Sequence, residues 1–460
     1  MKLSRWLILL LALLSAGLLI GAGLAIPNAG SQVTIERKVL AGDPEAADGV
    51  ELTLPLTCGS QLFWVTTFPA DRPEEAETVF SATLSRRSYE PPQEIIPIFV
   101  EIDGYFGRYG SAWEALEEQV WNDTPPGEER TYNFVLTDYF DAWPLNIRPS
   151  ADYYLEGERL SELFQSYFSI PIPEGTQIKI TVERSADGNS GSYYYEANLP
   201  LMESYAAAQG ERAIFALSNS YTASDGPGTD RLIALDGSQI PGGWGIYRYT
   251  PNEAHTDGTI ETLWSLPEES IVVDFWGIED GREFFLLTQE EGQLRLRIFD
   301  EEVRLVQTLD LFSFSEAETY MQVYKGDGFF VPIAYGPRGE GYCYRFAVVA
   351  RQPEGWSLAF TGDNWEATHL RHGSFSWAHD SRHSLDMAFD GQRLAIRDSS
   401  EYDSQPFYLA IYSKDGLEYL ADYYNSASRA GNALYTAFSH SAVQTSWIEE
   451  QLVCWTETSS

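Results

Sequence analysis

A module that repeats through the second half of the chain constrains its fold more than any other feature. Three segments can be laid over one another: Asp280-Gly281 running into Phe284, Asp327-Gly328 running into Phe329, and Asp390-Gly391 running into Leu394. Each is a tight turn entering a short apolar strand. A strand precedes each turn, at 271–277, 320–324 and 384–389. Two more follow it, at 294–299 and 303–309, at 342–349 and 356–360, and at 407–412 and 417–423. The unit is therefore four short strands joined by turns.

Residues 212–266 supply a fourth such unit through 213–217, 232–235, 245–249 and 260–266, and residues 433–455 supply an unfinished fifth. Four strands per unit is what a propeller blade requires. An unfinished last unit predicts closure by a strand borrowed from the other end of the chain, the lender lying before Arg212. In its Asp-Gly turn and short apolar strand, the repeat resembles bacterial extracytoplasmic β-propellers. The resemblance covers about half of the chain and lacks Trp-Asp, Kelch or Asp-box signatures. It implies binding on one face of a ring or in its central channel, and it implies no activity.

Before the repeats, strands are predicted at 33–40, 50–56, 62–67, 78–85, 98–103, 132–137 and 178–184, with helices at 111–121 and 160–168 and a hairpin over 178–199 turning at Asp187-Gly188. In the second helix Leu160, Leu163, Phe164 and Phe168 recur at helical spacing, which marks a core stripe. The expected fold is mainly β: a C-terminal β-propeller of four-stranded blades over 211–460, preceded by a β-rich domain with a few short helices over 33–205. A variant counts the strands between Val33 and Leu199 as two more blades of a single ring.

Acidic residues number 68 against 30 basic ones, a net charge of −38. That field repels phosphate backbones and anionic lipid headgroups, so nucleic acid is excluded as a partner, while a cationic ligand, Ca²⁺ or a basic protein surface is attracted. Hydrophobic residues at 44% and aromatics at 14% exclude disorder as the default state. Lys2 and Arg5 precede an apolar run from Trp6 to about Ile26 broken only by Ser15, the pattern of an export signal. The run matches a bilayer core in length, so 1–26 is expected to act as a signal peptide, cut before Ile26 at a site marked by the small residues Gly23 and Ala25, or as an uncleaved single-pass anchor with the bulk of the chain outside the cytoplasm. Cys58, Cys343 and Cys454 are too scattered for a disulfide framework, and only a Cys343–Cys454 bridge is open.

The sharpest chemical signal is His369, His372, His379 and His383, four of the six histidines, in a loop between the third and fourth repeats. Imidazole nitrogens there could hold Zn²⁺, with Asp363 or Asp380 as an oxygen ligand. No Asp-x-Asp-x-Asp-Gly loop accompanies them, so Ca²⁺ is permitted by charge alone. Aromatic and acidic residues interleave at Tyr139–Trp143, Asp152–Glu156 and Tyr193–Glu196, a composition suited to stacking sugar rings and equally to sheet cores. Gly355-Trp-Ser357-Leu-Ala359 imitates a serine elbow without its last glycine, and Gly336–Gly341 reads as a hairpin loop. The expected function is non-enzymatic binding or scaffolding of a protein or glycan partner, touching membrane only through the N-terminal segment. The alternative is a hydrolase acting on glycans or peptides, with carboxylates near the propeller axis.

Overall fold

The structure is a computed structural model that describes residues 2–29, 33–58, 62–81, 98–102, 111–149, 157–196, 202–224, 230–253, 257–278, 281–313, 320–338, 341–370, 385–398, 407–426, 444–445 and 452–456. The chain opens with helix α1 (Lys2–Ala29), rich in the strong helix formers leucine and alanine. Leu10, Leu11, Leu13, Leu14, Leu18, Leu19 and Ile20 lie exposed on it at positions distributed around the helix. Among the described residues no helix is long and apolar enough to cross a membrane.

Strands β1 (Ile35–Gly42), β2 (Val50–Cys58), β3 (Leu62–Pro69) and β4 (Glu77–Ser81) follow. On β2 every second residue, Val50, Leu52 and Leu54, is buried, the period of a strand with one face on a core. Next come β5 (Ile98–Ile102), α2 (Ser111–Asp123), β6 (Glu129–Val135), β7 (Leu145–Pro149), α3 (Gly157–Tyr167), β8 (Gln177–Arg184) and β9 (Gly191–Glu196). They form a β5-β7 pair and a β6-β8-β9 sheet. Phe164 and Phe168 are fully buried, with Leu163 and Tyr167 packed beside them, so the helical stripe is core as its spacing implies.

Four-stranded sheets then succeed one another. Strands β10 (Ser204–Gln209), β11 (Arg212–Leu217), β12 (Ser220–Ser224), β13 (Asp230–Ala234), β14 (Gly245–Pro251) and β15 (Gly258–Ser265) give a β10-β11-β14-β15 sheet, with β12 and β13 forming a separate hairpin. Here the structure corrects the expected strand membership, because 232–235 belongs to that hairpin and the first strand of the sheet is β10. Its Tyr-Ala-Ala-Ala centre carries no β-branched residue, so propensity is silent where pairing with β11 decides. Strands β16 (Ile271–Ile278), β17 (Glu283–Glu290), β18 (Gln293–Phe299) and β19 (Leu305–Ser313) form the next sheet in chain order. Strands β20 (Tyr320–Gly326), β21 (Phe329–Arg338), β22 (Gly341–Gln352) and β23 (Gly355–Asp363) form another, and the short helix α4 (Trp365–Leu370) leaves it.

The last sheet holds β24 (Leu385–Phe389), β25 (Leu394–Asp398), β26 (Phe407–Ser413) and β27 (Gly416–Asn425), and β28 (Gln444–Thr445) and β29 (Val453–Trp455) close the chain. Gly328 (φ 71°) and Gly391 (φ 100°) hold left-handed backbone in the first turn of their units, as the repeated Asp-Gly requires. Every residue of β26 is buried, and so are Phe284 to Leu287 of β17. Central strands covered on both faces have no polar face to alternate with, which is why these repeats read as continuous apolar runs.

The chain divides into two compact units, Met1–Glu90 with Tyr320–Ser460, and Pro91–Thr319. In the first, β1 pairs antiparallel with β27 from Ile35 opposite Asn425 to Gly42 opposite Tyr419, while β28 and β29 pair with β2. The exchange of strands between distant parts of the chain thus occurs twice. It also puts β1–β4 in one unit with the last sheets, so the division of units does not follow the expected boundary near 205–211. Among the described residues of this unit, one core joins β2 and β3 to β25–β27 and another joins β21–β23 to β24–β27. In the second unit one core joins α2, α3 and β8 to β11 and β14, and another joins β11 and β14 to β16–β18. Each fully buried large apolar side chain in such layers contributes roughly 1.5–3 kcal/mol.

Candidate functional site

The histidine signal leads to α4. At the end of β23 the Asp363 carboxylate accepts the backbone N–H of Trp365 at 2.9 Å, an N-cap that starts the helix. Asn364 locks this start to β22, donating its N–H to the Tyr344 carbonyl (3.0 Å) and accepting the Tyr344 N–H on its side-chain oxygen (2.8 Å). Four residues apart on one face, Trp365 and His369 stack with ring centroids 6.2 Å apart and planes at 20°, both exposed. Ala367 is buried beneath them. Tyr412 is buried below the helix, and its hydroxyl has no hydrogen-bond partner among the described residues. Burial first, then the carboxylates of Asp363 and Glu366, push that phenol far above its ordinary range, so it stays protonated. In the same core, Tyr344 and Tyr408 share a hydrogen bond of 2.8 Å.

His369 is thus exposed on α4, while the Asp363 carboxylate is engaged at the start of that helix. His372, His379, His383 and Asp380 lie outside the described residues. Among the described residues no group of three or more His, Cys, Asp and Glu side chains comes together to hold a metal ion.

The aromatic patches resolve into packing and surface. Trp143 is 1% exposed and belongs to the core, and Tyr139 meets Phe134 edge-on at 6.0 Å. Residues 152–156 lie outside the described residues. The tyrosine triplet is divided by the strand period. Tyr193 and Tyr195 stack at 6.2 Å on the face toward α2, where Trp121 continues the stack at 5.8 Å and Arg184 covers Trp121 at 4.7 Å. The Tyr195 hydroxyl donates to Glu117. Tyr194 stands exposed on the opposite face. Ser357 sits within β23 opposite Ala350, and Arg338 pairs with Gly341 across the hairpin from β21 to β22. No disulfide joins Cys343 to Cys454, so the bridge left open by the sequence is not formed; Cys343 is buried in its sheet, while Cys454 faces Glu51 on β2.

Two ionic clusters escaped the sequence reading. On β17 and β18, Glu290 accepts from Ser270 (2.8 Å) and Thr288 (3.0 Å) and pairs with buried Arg297 (2.6 Å), while Arg295 bridges Glu290 and Asp310. Burial alone would raise the Glu290 carboxyl, but the hydrogen bonds from Arg297, Ser270 and Thr288 and the Arg297 charge outweigh it and pull it down to about 2. The available signal was the alternation of Arg295 and Arg297, which puts both on one face of β18. On β24, Asp386 lies opposite Arg397 and accepts the N–H of Leu452 at 3.0 Å. Burial raises its carboxyl against the opposing pull of Arg397 and that N–H. No spacing reveals this pair, because Leu452 reaches it from 66 residues away.

Fold and site together define a mainly β protein built of four-stranded antiparallel sheets of the propeller-blade type. No protein-family profile and no curated protein matches the chain. Among solved structures it is similar to a putative 6-phosphogluconolactonase from Bacteroides uniformis (12% identity, 80% of this chain and 95% of that one, TM-score 0.27). It is also similar to the Nup133 β-propeller domain of Vanderwaltozyma polyspora (6% identity, 54% and 91%, TM-score 0.21) and to TolB from Acinetobacter baumannii (13% identity, 72% and 80%, TM-score 0.19). Scores at this level assign neither activity nor ligand.

Proposed function

We propose that this chain works outside the cytoplasm as a non-enzymatic binding or scaffolding protein. Segment 1–26 delivers it and either holds it at the membrane or is removed. The observation that carries this reading is the stitched frame: β1 zipped to β27, and β29 to β2, tie residues hundreds apart in sequence into one support. On such a support the turns between strands vary without loss of the fold, which suits a surface for a protein or glycan partner. The strong negative charge favours a basic protein surface. Purification of the tagged full chain from native membranes in mild detergent tests this. A partner retained in stoichiometric amount is the expected result.

A second reading, a hydrolase acting on glycans or peptides, is favoured by one observation: Asp386, on the first strand of its sheet, has its carboxyl raised by burial. Turnover of a glycan or peptide that Asp386→Asn abolishes at unchanged melting temperature would replace the binding reading with this one. The proposal also includes Zn²⁺ held by His369, His372, His379 and His383. Calorimetric titration of the full chain is expected to show one site at micromolar Zn²⁺, weakened at least tenfold by His369→Ala. Absence of heat would remove the metal from the account.

A further inference from the structure

The stitching of β1 into its sheet decides which end of that sheet a membrane-held chain turns toward lipid, an inference that rests on segment 1–26 being the point of attachment. Helix α1 ends at Ala29 and β1 begins at Ile35. The chain is already fixed one residue before the strand: Thr34 N–H donates to the Ser426 hydroxyl at 2.8 Å, and Ser426 N–H donates to the Thr34 carbonyl at 3.0 Å. Three helical residues beyond segment 1–26 add about 4.5 Å, and five residue steps separate Ala29 from Thr34, so the reach from the attachment segment is at most about 23 Å. The Thr34 end of the sheet therefore cannot stand far from the membrane surface.

The antiparallel register says what else lies at that end. Ile35 faces Asn425, Tyr423 faces Phe407, and Leu385 faces Asp398, so the starts of β1, β24 and β26 gather there with the ends of β25 and β27. The other end carries Gly42, the turn at Asp390-Gly391 and the turn at Lys414-Asp415, about 20 Å further on for six residues of strand. Exposed Asp43, Glu45, Asp48, Asp390 and Asp415 crowd this far end.

We infer that in the membrane-held protein the Ile35–Asn425 end of this sheet faces the bilayer and the acidic turn end faces away. Electrostatics acts in the same direction as the tether. Anionic headgroups repel a carboxylate rim within a Debye length, so the far position of the five carboxylates lowers the repulsion.

The test places a fluorescent amino acid at Glu36 or at Lys414 in the full chain, in vesicles of phosphatidylcholine with some phosphatidylglycerol and a headgroup-linked acceptor. Both variants should melt like the parent. Energy transfer severalfold greater at 36 than at 414 is the expected result, and equal or reversed transfer overturns the orientation. A chain that does not float with the vesicles overturns the attachment reading itself, and the orientation with it.

Discussion

At Glu290 two opposed effects meet in one side chain. Burial disfavours its charge, yet three donors and a buried guanidinium favour it more, so its folded pKa falls to about 2, below the ordinary carboxylate range near 4.3. A depressed carboxyl contributes stability that is complete above its unfolded pKa and is lost as pH falls toward its folded pKa. Chemical denaturation at stepped pH should therefore show a loss between about pH 4.5 and 2 that Glu290→Gln removes. At neutral pH the same variant should lose about 3 kcal/mol, because Arg297 stays buried without its counter-charge. Tyr412 makes the opposite case. Its buried hydroxyl has no hydrogen-bond partner among the described residues, so Tyr412→Phe should be neutral or stabilise by up to about 1 kcal/mol. Tyr408→Phe, which breaks the bond to Tyr344, should cost about 1 kcal/mol in the same melts. At this scale the rarity of histidine singled out His369 as a candidate, but no pattern could announce Glu290 or Tyr412. Their states depend on neighbours brought in by strand pairing.

Among the elements, the repeated turn was legible because it is local. Left-handed backbone at Gly328 and Gly391 excludes other residues almost regardless of surroundings, and alanine at either position should cost about 1 kcal/mol or more in a thermal melt. Arg184 shows local chemistry serving a distant join. Its guanidinium donates to the carbonyls of Trp121 and Thr124 at the end of α2 and to Gly188 in the hairpin, while lying over the Trp121 ring. Arg184→Met should lower stability by roughly 2–3 kcal/mol, since helix-end carbonyls lose their donor. Strand β10 was not legible, because alanines half-buried on a strand carry no periodic signal, and β29 is too short to announce itself. Yet Leu452 bonds Asp386, the Trp455 indole donates to Ala388, and Arg393 covers the Trp455 ring at 4.3 Å.

For the whole molecule, the grouping of residues departs from their order along the chain. A fragment spanning 211–460 contains every repeat seen in the sequence, but it leaves β27 without β1 and β29 without β2. Open sheet edges associate, so this fragment should elute as aggregates in size-exclusion chromatography while the full chain does not. The sequence by itself determined the strand-rich character, the four-strand unit and the turn positions. Each depends on the spacing of side chains over a few residues, where the period of the backbone alone selects the structure. Tertiary structure alone decided that 35–81 belongs with 320–455, that Asp386 is raised and Glu290 lowered, and that the tyrosine triplet splits between core and surface. Those outcomes depend on partners far away in sequence, and the free energy that selects them appears only when sheets pair and bury one another.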